Sequence, residues 1–261
     1  MNEKGIKQEY LDDYKWLWRF GITKSCIEKR IKEEKTKHTV PDIENVDRIF
    51  GCAYKAYDDL KRTLHGVGAW NEESKKDYRT QRSFSIVTEI SKLFDKVIEW
   101  KIKNKPYTEV QEVFQEEFNK WHKDACAIIR DESNAFTAYT GNGDGQVKLD
   151  NAFAMNGKKK LIKDGLAQKW LNMTLKNMMA LGLSDELSAI SHCLHVPIDS
   201  KIIIKASEKP LELKKPNTTS WSSMEYKDYS IYQENLRRAI CEYYLSEFRC
   251  PLEWEFSVWG I

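Results

Sequence analysis

No stretch of this sequence is apolar for the roughly 20 residues that a bilayer crossing requires, so a helical membrane span is excluded. The segment Met1 to Asp13 is polar and charged and lacks the apolar centre of a secretory signal, which makes a cytoplasmic protein the expectation. No two cysteines form a C-x-x-C pair. The six, Cys26, Cys52, Cys126, Cys193, Cys241 and Cys250, are scattered along the chain, which argues against a zinc or disulfide framework and for reduced thiols. Neither sign of charge dominates. Lys and Arg number 42 and Asp and Glu 40, a formal net charge of +2, so the total neither demands nor excludes a nucleic-acid partner and local clusters carry that question. There is no βαβ rhythm, which removes a doubly wound sheet, and no repeat of roughly 20–50 residues, which removes a solenoid.

What remains is a helical pattern rich in aromatics. At 261 residues the chain can bury a full core without metal or disulfide support. Nine Trp and twelve Tyr exceed what a core needs, so some should line a groove, a pocket or an interface. Ile43, Val46, Ile49, Phe50, Ala53, Tyr54, Tyr57 and Leu60 recur at helical spacing, as do Ile86, Val87, Ile90, Leu93, Phe94, Val97 and Ile98. Pro106 should end the second helix, and Thr108 with Gln111 reads as a capping box for a third, with Val110, Val113, Phe114, Phe118, Trp121, Ala125 and Ile128 on one face. A C-terminal helix carries Tyr229, Tyr232, Leu236, Ala239, Ile240 and Tyr243. Ala138 to Leu149 should be a loop or short hairpin, Lys209 to Trp221 a loop, and Leu252 to Phe256 a short strand or packed tail. The expected fold is all-α: one helical domain over 1–261 with at least six helices, divisible into lobes near 1–135 and 136–261 around a central cleft, and at most a minor hairpin.

The segment from about Gly165 to Leu181 reads as a helix with an apolar stripe (Ala167, Leu171, Thr174, Leu175, Met178) and a polar one (Lys169, Asn172, Lys176). A polar stripe near the first turn can look into a cleft, where a lysine amine can act as a nucleophile; the bland alternative is a solvated helix lysine. Asp199 follows Pro197 and precedes an apolar segment, as an N-cap residue would. A capping aspartate that faces a cleft can also stabilise a developing cation.

Gln168-Lys169, then Lys176 and Met178, then Val196-Pro197-Ile198-Asp199, resemble the catalytic region of the helix-hairpin-helix DNA glycosylases, and most closely the archaeal-type 8-oxoguanine glycosylases. The resemblance covers Gly165 to Ala206. It implies an all-α, two-lobed fold with the active site between the lobes. It also implies that Lys169 attacks the sugar C1′ with the aid of Asp199, in base excision with or without AP-lyase activity, on double-stranded DNA carrying a damaged or modified base. The glycine hairpin of the wider superfamily, with its Gly-x-Gly just before the lysine, is missing before Lys169; Gly66-Val67-Gly68 lies a hundred residues earlier and is followed by Ala69-Trp70.

The lysines Lys158, Lys159, Lys160, Lys163, Lys169 and Lys176 suit a phosphate backbone, and Trp170, Trp221 and Trp259 suit stacking on an everted base, with Gln168 beside them. The bland readings are a solvated charged face and core tryptophans. No cofactor and no metal is expected. Thr140 to Asn151 resembles an EF-hand loop through Asn142-Gly143-Asp144-Gly145, but lacks carboxylates at both ends. His192 and His195 could share a metal only with a second ligand pair, which the spacing does not offer; one should pack in the core and one near Asp199. Cys193 between them reads as a buried thiol. A second reading of the whole chain is a non-enzymatic helical interaction protein, phage- or defence-related, with a protein partner. A cleft lysine facing Asp199 favours the enzyme, and a lysine in open solvent favours the binder.

Overall fold

The computed structural model describes residues 46–61, 63–64, 70–103, 111–139, 148–150, 154–155, 158–159, 161–218, 220–244, 247–248 and 250–259. Within them lie eight α-helices: α1 (Val46–Leu60), α2 (Glu72–Lys103), α3 (Gln111–Ala135), α4 (Asp164–Ala180), α5 (Asp185–Ala189), α6 (Ser200–Ser207), α7 (Tyr226–Tyr244) and α8 (Pro251–Trp259). The fold is all-α. Two small antiparallel hairpins interrupt it where one was expected: β1 (Thr137–Tyr139) pairs with β2 (Lys148–Asp150), and β3 (Ala154–Met155) with β4 (Lys158–Lys159). The Thr108 capping box and most of the EF-hand-like loop lie outside the described residues.

The helices follow from local chemistry. In α1, Ile49, Phe50, Ala53, Ala56, Tyr57 and Leu60 are buried at helical spacing. Asn71 caps α2, its Oδ1 accepting from the Ser74 amide at 2.8 Å. Glu72 and Glu73 in the first turn and Lys101 and Lys103 in the last match the helix dipole. On α3 the buried face runs through Phe114, Phe118, Trp121, Ala125 and Ile129, with Ile128 only half-buried. Helices α1 to α4, with α5, share one core, and a second, smaller core joins Val196, Ile198 and α6 to α7 and Trp254. Trp221 and Tyr226 pack against both.

Helix α4 is the centre of the molecule, and every one of its residues is buried. The two-stripe expectation therefore fails on its polar side. Lys169, Asn172 and Lys176 point into protein, not toward solvent, and each is satisfied by a side chain from another element. The start of α4 is stitched to the start of α7. The Gly165 amide donates to the Met224 carbonyl at 3.0 Å, and Asp164 accepts from the Tyr226 amide at 2.9 Å and from Arg130 at 2.7 Å. The approach is tight enough that a Cβ on Gly165 would stand 2.0 Å from the Trp221 carbonyl oxygen. The end of α4 is a Schellman turn. Gly182, at φ 61°, donates to Met179 O, and Leu183 donates to Met178 O.

Leu252 to Phe256 is not a strand. Pro251 opens helix α8, a position where its missing amide costs nothing, and residues 251–256 are buried on all sides. Enclosure on every face erases the helical period, and the remaining alternation imitates a strand.

Candidate active site

Three elements bring charged side chains together. Helix α4 supplies Lys169 and Lys176, two turns apart. The N-cap of α6 supplies Asp199. Helix α8 supplies Glu255 and Trp259, one turn apart.

Lys169 Nζ lies 2.5 Å from Asp199 Oδ2, with the two side chains 6% and 14% exposed. The other carboxylate oxygen, Oδ1, accepts from the Ile202 amide at 2.9 Å and so caps α6. One Asp199 oxygen therefore starts a helix while the other faces the lysine. A lysine in open solvent is excluded.

Below this pair lies a second. Lys176 Nζ is 2.6 Å from Glu255, with the side chains 1% and 0% exposed. Burial pushes the Lys176 ammonium below its ordinary range and the Glu255 carboxyl above its own, each opposed by the partner's charge. Trp259 joins the two pairs. Its ring centroid is 5.9 Å from Lys169 Nζ, 5.5 Å from Lys176 Nζ and 4.3 Å from Lys201 Nζ. Its indole nitrogen is buried without a hydrogen bond to the described residues, while both Glu255 carboxylate oxygens lie 2.6 Å from Lys176 Nζ.

Around Lys169 runs a layer of neutral polar groups. Gln168, wholly buried, donates to Ile198 O at 3.0 Å and accepts from Ile198 N at 3.3 Å. Asn172 donates to Gln168 Oε1 at 3.0 Å and to Tyr229 Oη at 2.8 Å. His122 Nε2 lies 2.9 Å from Asn172 Oδ1, and His195 Nδ1 lies 2.8 Å from Tyr229 Oη. Burial drives His122 down to about 4 and His195 well below its ordinary value, so both imidazoles are neutral near pH 7.

The structure reassigns several residues picked out by sequence. Gln168 cannot meet DNA, because its amide is fully used inside the protein. Trp170 is core, not a stacking platform: it donates to Ala53 O at 2.9 Å and packs on Tyr57 at 5.4 Å. Lys176 is a buried ion-pair partner, not a phosphate contact. Lys163 is half-exposed and bridges to Glu225 at 2.6 Å, a surface pair. Trp221 is half-buried against both cores, and only Trp259 adjoins the two lysines. The side chains of Lys158, Lys159 and Lys160 lie outside the described residues. His195 is the core histidine, while His192 is partly exposed with Nε2 3.2 Å from Cys193 Sγ. Cys193 is a buried thiol pushed up to about 12. Among the described residues no group of three or more His, Cys, Asp or Glu is placed to hold a metal.

Sequence reasoning missed Glu255, whose signal was faint: a glutamate between Trp254 and Phe256 inside an apolar run. It also missed His122, which the helical period of α3 places next to the buried Trp121. A groove of about 390 Å³ between α2 and α3, lined by Arg82, Ser85, Glu89, Ile128 and Glu132, includes none of the residues at this site.

No family model, curated protein or solved structure matches the chain.

Proposed function

We propose that the protein is a DNA base-excision glycosylase in which Lys169 is the nucleophile and Asp199 its proton acceptor. The observation that carries this reading is the 2.5 Å contact between a nearly buried lysine and a helix-capping aspartate thirty residues later. Lysine is used as a nucleophile where burial and a partner group control its proton.

The chemistry balances on these two groups. The Lys169 ammonium passes a proton to Asp199, and the freed amine attacks C1′ of the target nucleotide. The C1′–N glycosidic bond breaks and its electron pair leaves with the base, which takes a proton, directly or through water, from the protonated Asp199. The C1′–O4′ bond then breaks as a proton passes from the attached nitrogen to O4′, which opens the sugar ring and leaves a protonated Schiff base between Lys169 and C1′. Asp199, a carboxylate again, takes the C2′ proton, and the electron pair left behind forms a C2′–C3′ double bond as the 3′ phosphate departs, which is the AP-lyase step. The contact between Lys169 and Asp199 must open to admit the sugar.

Trp259 supports the reading as a flat surface beside the nucleophile on which an everted base can stack, with Glu255 and Lys176 as polar groups behind it. The expected partner is duplex DNA with one damaged or modified base, bound through lysines of the 158–163 region.

Borohydride trapping tests the proposal. Protein is mixed with duplexes carrying 8-oxoguanine or an abasic site, and reduction of the Schiff base leaves a stable secondary amine. A covalent adduct that maps to Lys169 is the expected result. Absence of an adduct across a panel of damaged duplexes sinks the reading and leaves the helical interaction protein, with a protein partner, in its place.

A further inference from the structure

Resting on that reading of the site, we infer that Gln168 is its positioning residue: a carboxamide clamp that sets where Asp199 stands relative to the Lys169 amine. Gln168 and Lys169 are consecutive on α4, and Ile198 and Asp199 are consecutive before α6. Lys169 binds the Asp199 carboxylate. Gln168 binds the backbone one residue earlier, donating from Nε2 to Ile198 O at 3.0 Å and accepting at Oε1 from Ile198 N at 3.3 Å. This is the pairing a neighbouring β-strand would make, delivered by one side chain. Nε2 also donates to Gly165 O at 2.8 Å, which ties the clamp to the first turn of α4.

The chemistry asks for glutamine and no near relative. A glutamate has no donor for the Ile198 carbonyl. An asparagine is one methylene short of it. An apolar side chain leaves both Ile198 groups buried without partners.

The orientation of the carboxamide is itself dictated. The Ile198 amide can only donate and its carbonyl can only accept, so the Gln168 atom facing Ile198 N is the oxygen, and the Asn172 atom 3.0 Å from that oxygen is the donating nitrogen. Asn172 is oriented in turn. Its Oδ1 accepts from His122 Nε2–H, and the remaining nitrogen, Nδ1, accepts from the Tyr226 hydroxyl at 3.0 Å. Tyr229 accepts from Asn172 and donates to His195 Nδ1, leaving His195 Nε2–H to donate to Asn119 Oδ1 at 2.9 Å. Each donor in this chain meets an acceptor. The network extends from α3 and α7 to the clamp and ends one residue from Asp199. It explains why α4, fully buried, carries polar residues at 168 and 172, which stack one turn apart on one face.

A double-mutant cycle separates this role from plain structural support. Single-turnover adduct formation on an abasic-site duplex is measured for wild type, Gln168→Met, Asp199→Asn and the double variant, with the DNA dependence and thermal midpoint of each. Gln168→Met is expected to slow adduct formation about ten-fold or more while shifting half-saturating DNA by less than about two-fold, because small misplacements of reacting groups act on the rate. In the Asp199→Asn background the same change should slow it by less than about two-fold more, since the clamp acts through Asp199. An unchanged rate for Gln168→Met, or an equal loss in both backgrounds, overturns the inference.

A crystal structure of Gln168→Met supplies the second readout. The Lys169–Asp199 contact should lengthen by about 1 Å or more, and an unmoved contact overturns the clamp. If wild type forms no adduct on any duplex, the glycosylase reading fails, and this distance alone decides the clamp. Should Gln168→Met not fold, Gln168→Asn replaces it in both measurements.

Discussion

Lys169 and Lys176 stand two turns apart on one buried helix, and each is met by a carboxylate from a different element: Asp199 from the cap of α6 and Glu255 from α8. Two ammonium groups on one side of a buried helix are tolerated only because each is paired and hydrogen-bonded. The pairs are not equivalent. Lys176 and Glu255 are sealed, whereas Asp199 keeps some exposure and also caps a helix. A sealed pair holds structure, and the outer pair is the one a substrate can open.

Lys169→Gln is expected to abolish adduct formation, with stability lowered by about 1–2 kcal/mol because Asp199 loses its partner in a mostly dry setting. Asp199→Asn should keep the cap of α6, since asparagine caps as well as aspartate, while slowing adduct formation by about 100-fold or more. Trapping gels read the first effect and urea melts the second. If Lys169→Gln retains the adduct, the nucleophile lies elsewhere.

Removing one member of the sealed pair should be more damaging than removing both. Glu255→Ala leaves the Lys176 charge buried and alone, at about 3–5 kcal/mol. Replacing Lys176 and Glu255 together by methionine should recover most of that loss. Chemical denaturation of the two variants checks this, and a double variant less stable than Glu255→Ala alone contradicts the pairing.

The neutral histidines make stability depend on pH in one direction. His122 titrates at about 4 in the folded protein and near 6.5 when unfolded, so between those values the unfolded chain binds the extra proton. Stability is therefore full above about pH 6.5 and falls as the pH drops toward 4, by on the order of 3 kcal/mol for His122 alone. His195, lowered in the same direction, steepens the fall. Urea midpoints from pH 8 to pH 4.5 should show the decline, and His122→Gln should flatten it. A slope unchanged by His122→Gln would mean that the imidazole titrates alike in the folded and unfolded chains.

Gly165→Ala should destabilise the protein by about 3 kcal/mol, because the new Cβ would meet the Trp221 carbonyl oxygen at 2.0 Å and neither backbone can yield easily. Ordinary helix propensity points the other way, alanine being the better helix former by about 1 kcal/mol. The sign of the change in melting temperature decides which effect governs.

The helical character of the chain, the burial of most of its apolar stripes and the cap at Asp199 were legible in the sequence, because each depends on residues a few positions apart; Ile98 and Tyr243, read into those stripes, are exposed. The pairing of Lys169 with Asp199 was legible only as a resemblance, since thirty residues separate them and no local rule fixes their distance. What tertiary structure alone decided was which polar residues face inward. Amphipathic reading assumes that a helix has a wet side, and α4 has none, so Gln168, Asn172 and Lys176 were placed toward solvent or DNA when they are core. Glu255 escaped the sequence for the same reason, and packing alone put Trp259, among the three candidate tryptophans, beside the lysines. Helix α8 is closed on nearly every face, its periodicity is lost, and its partners are fixed by packing between elements far apart in sequence.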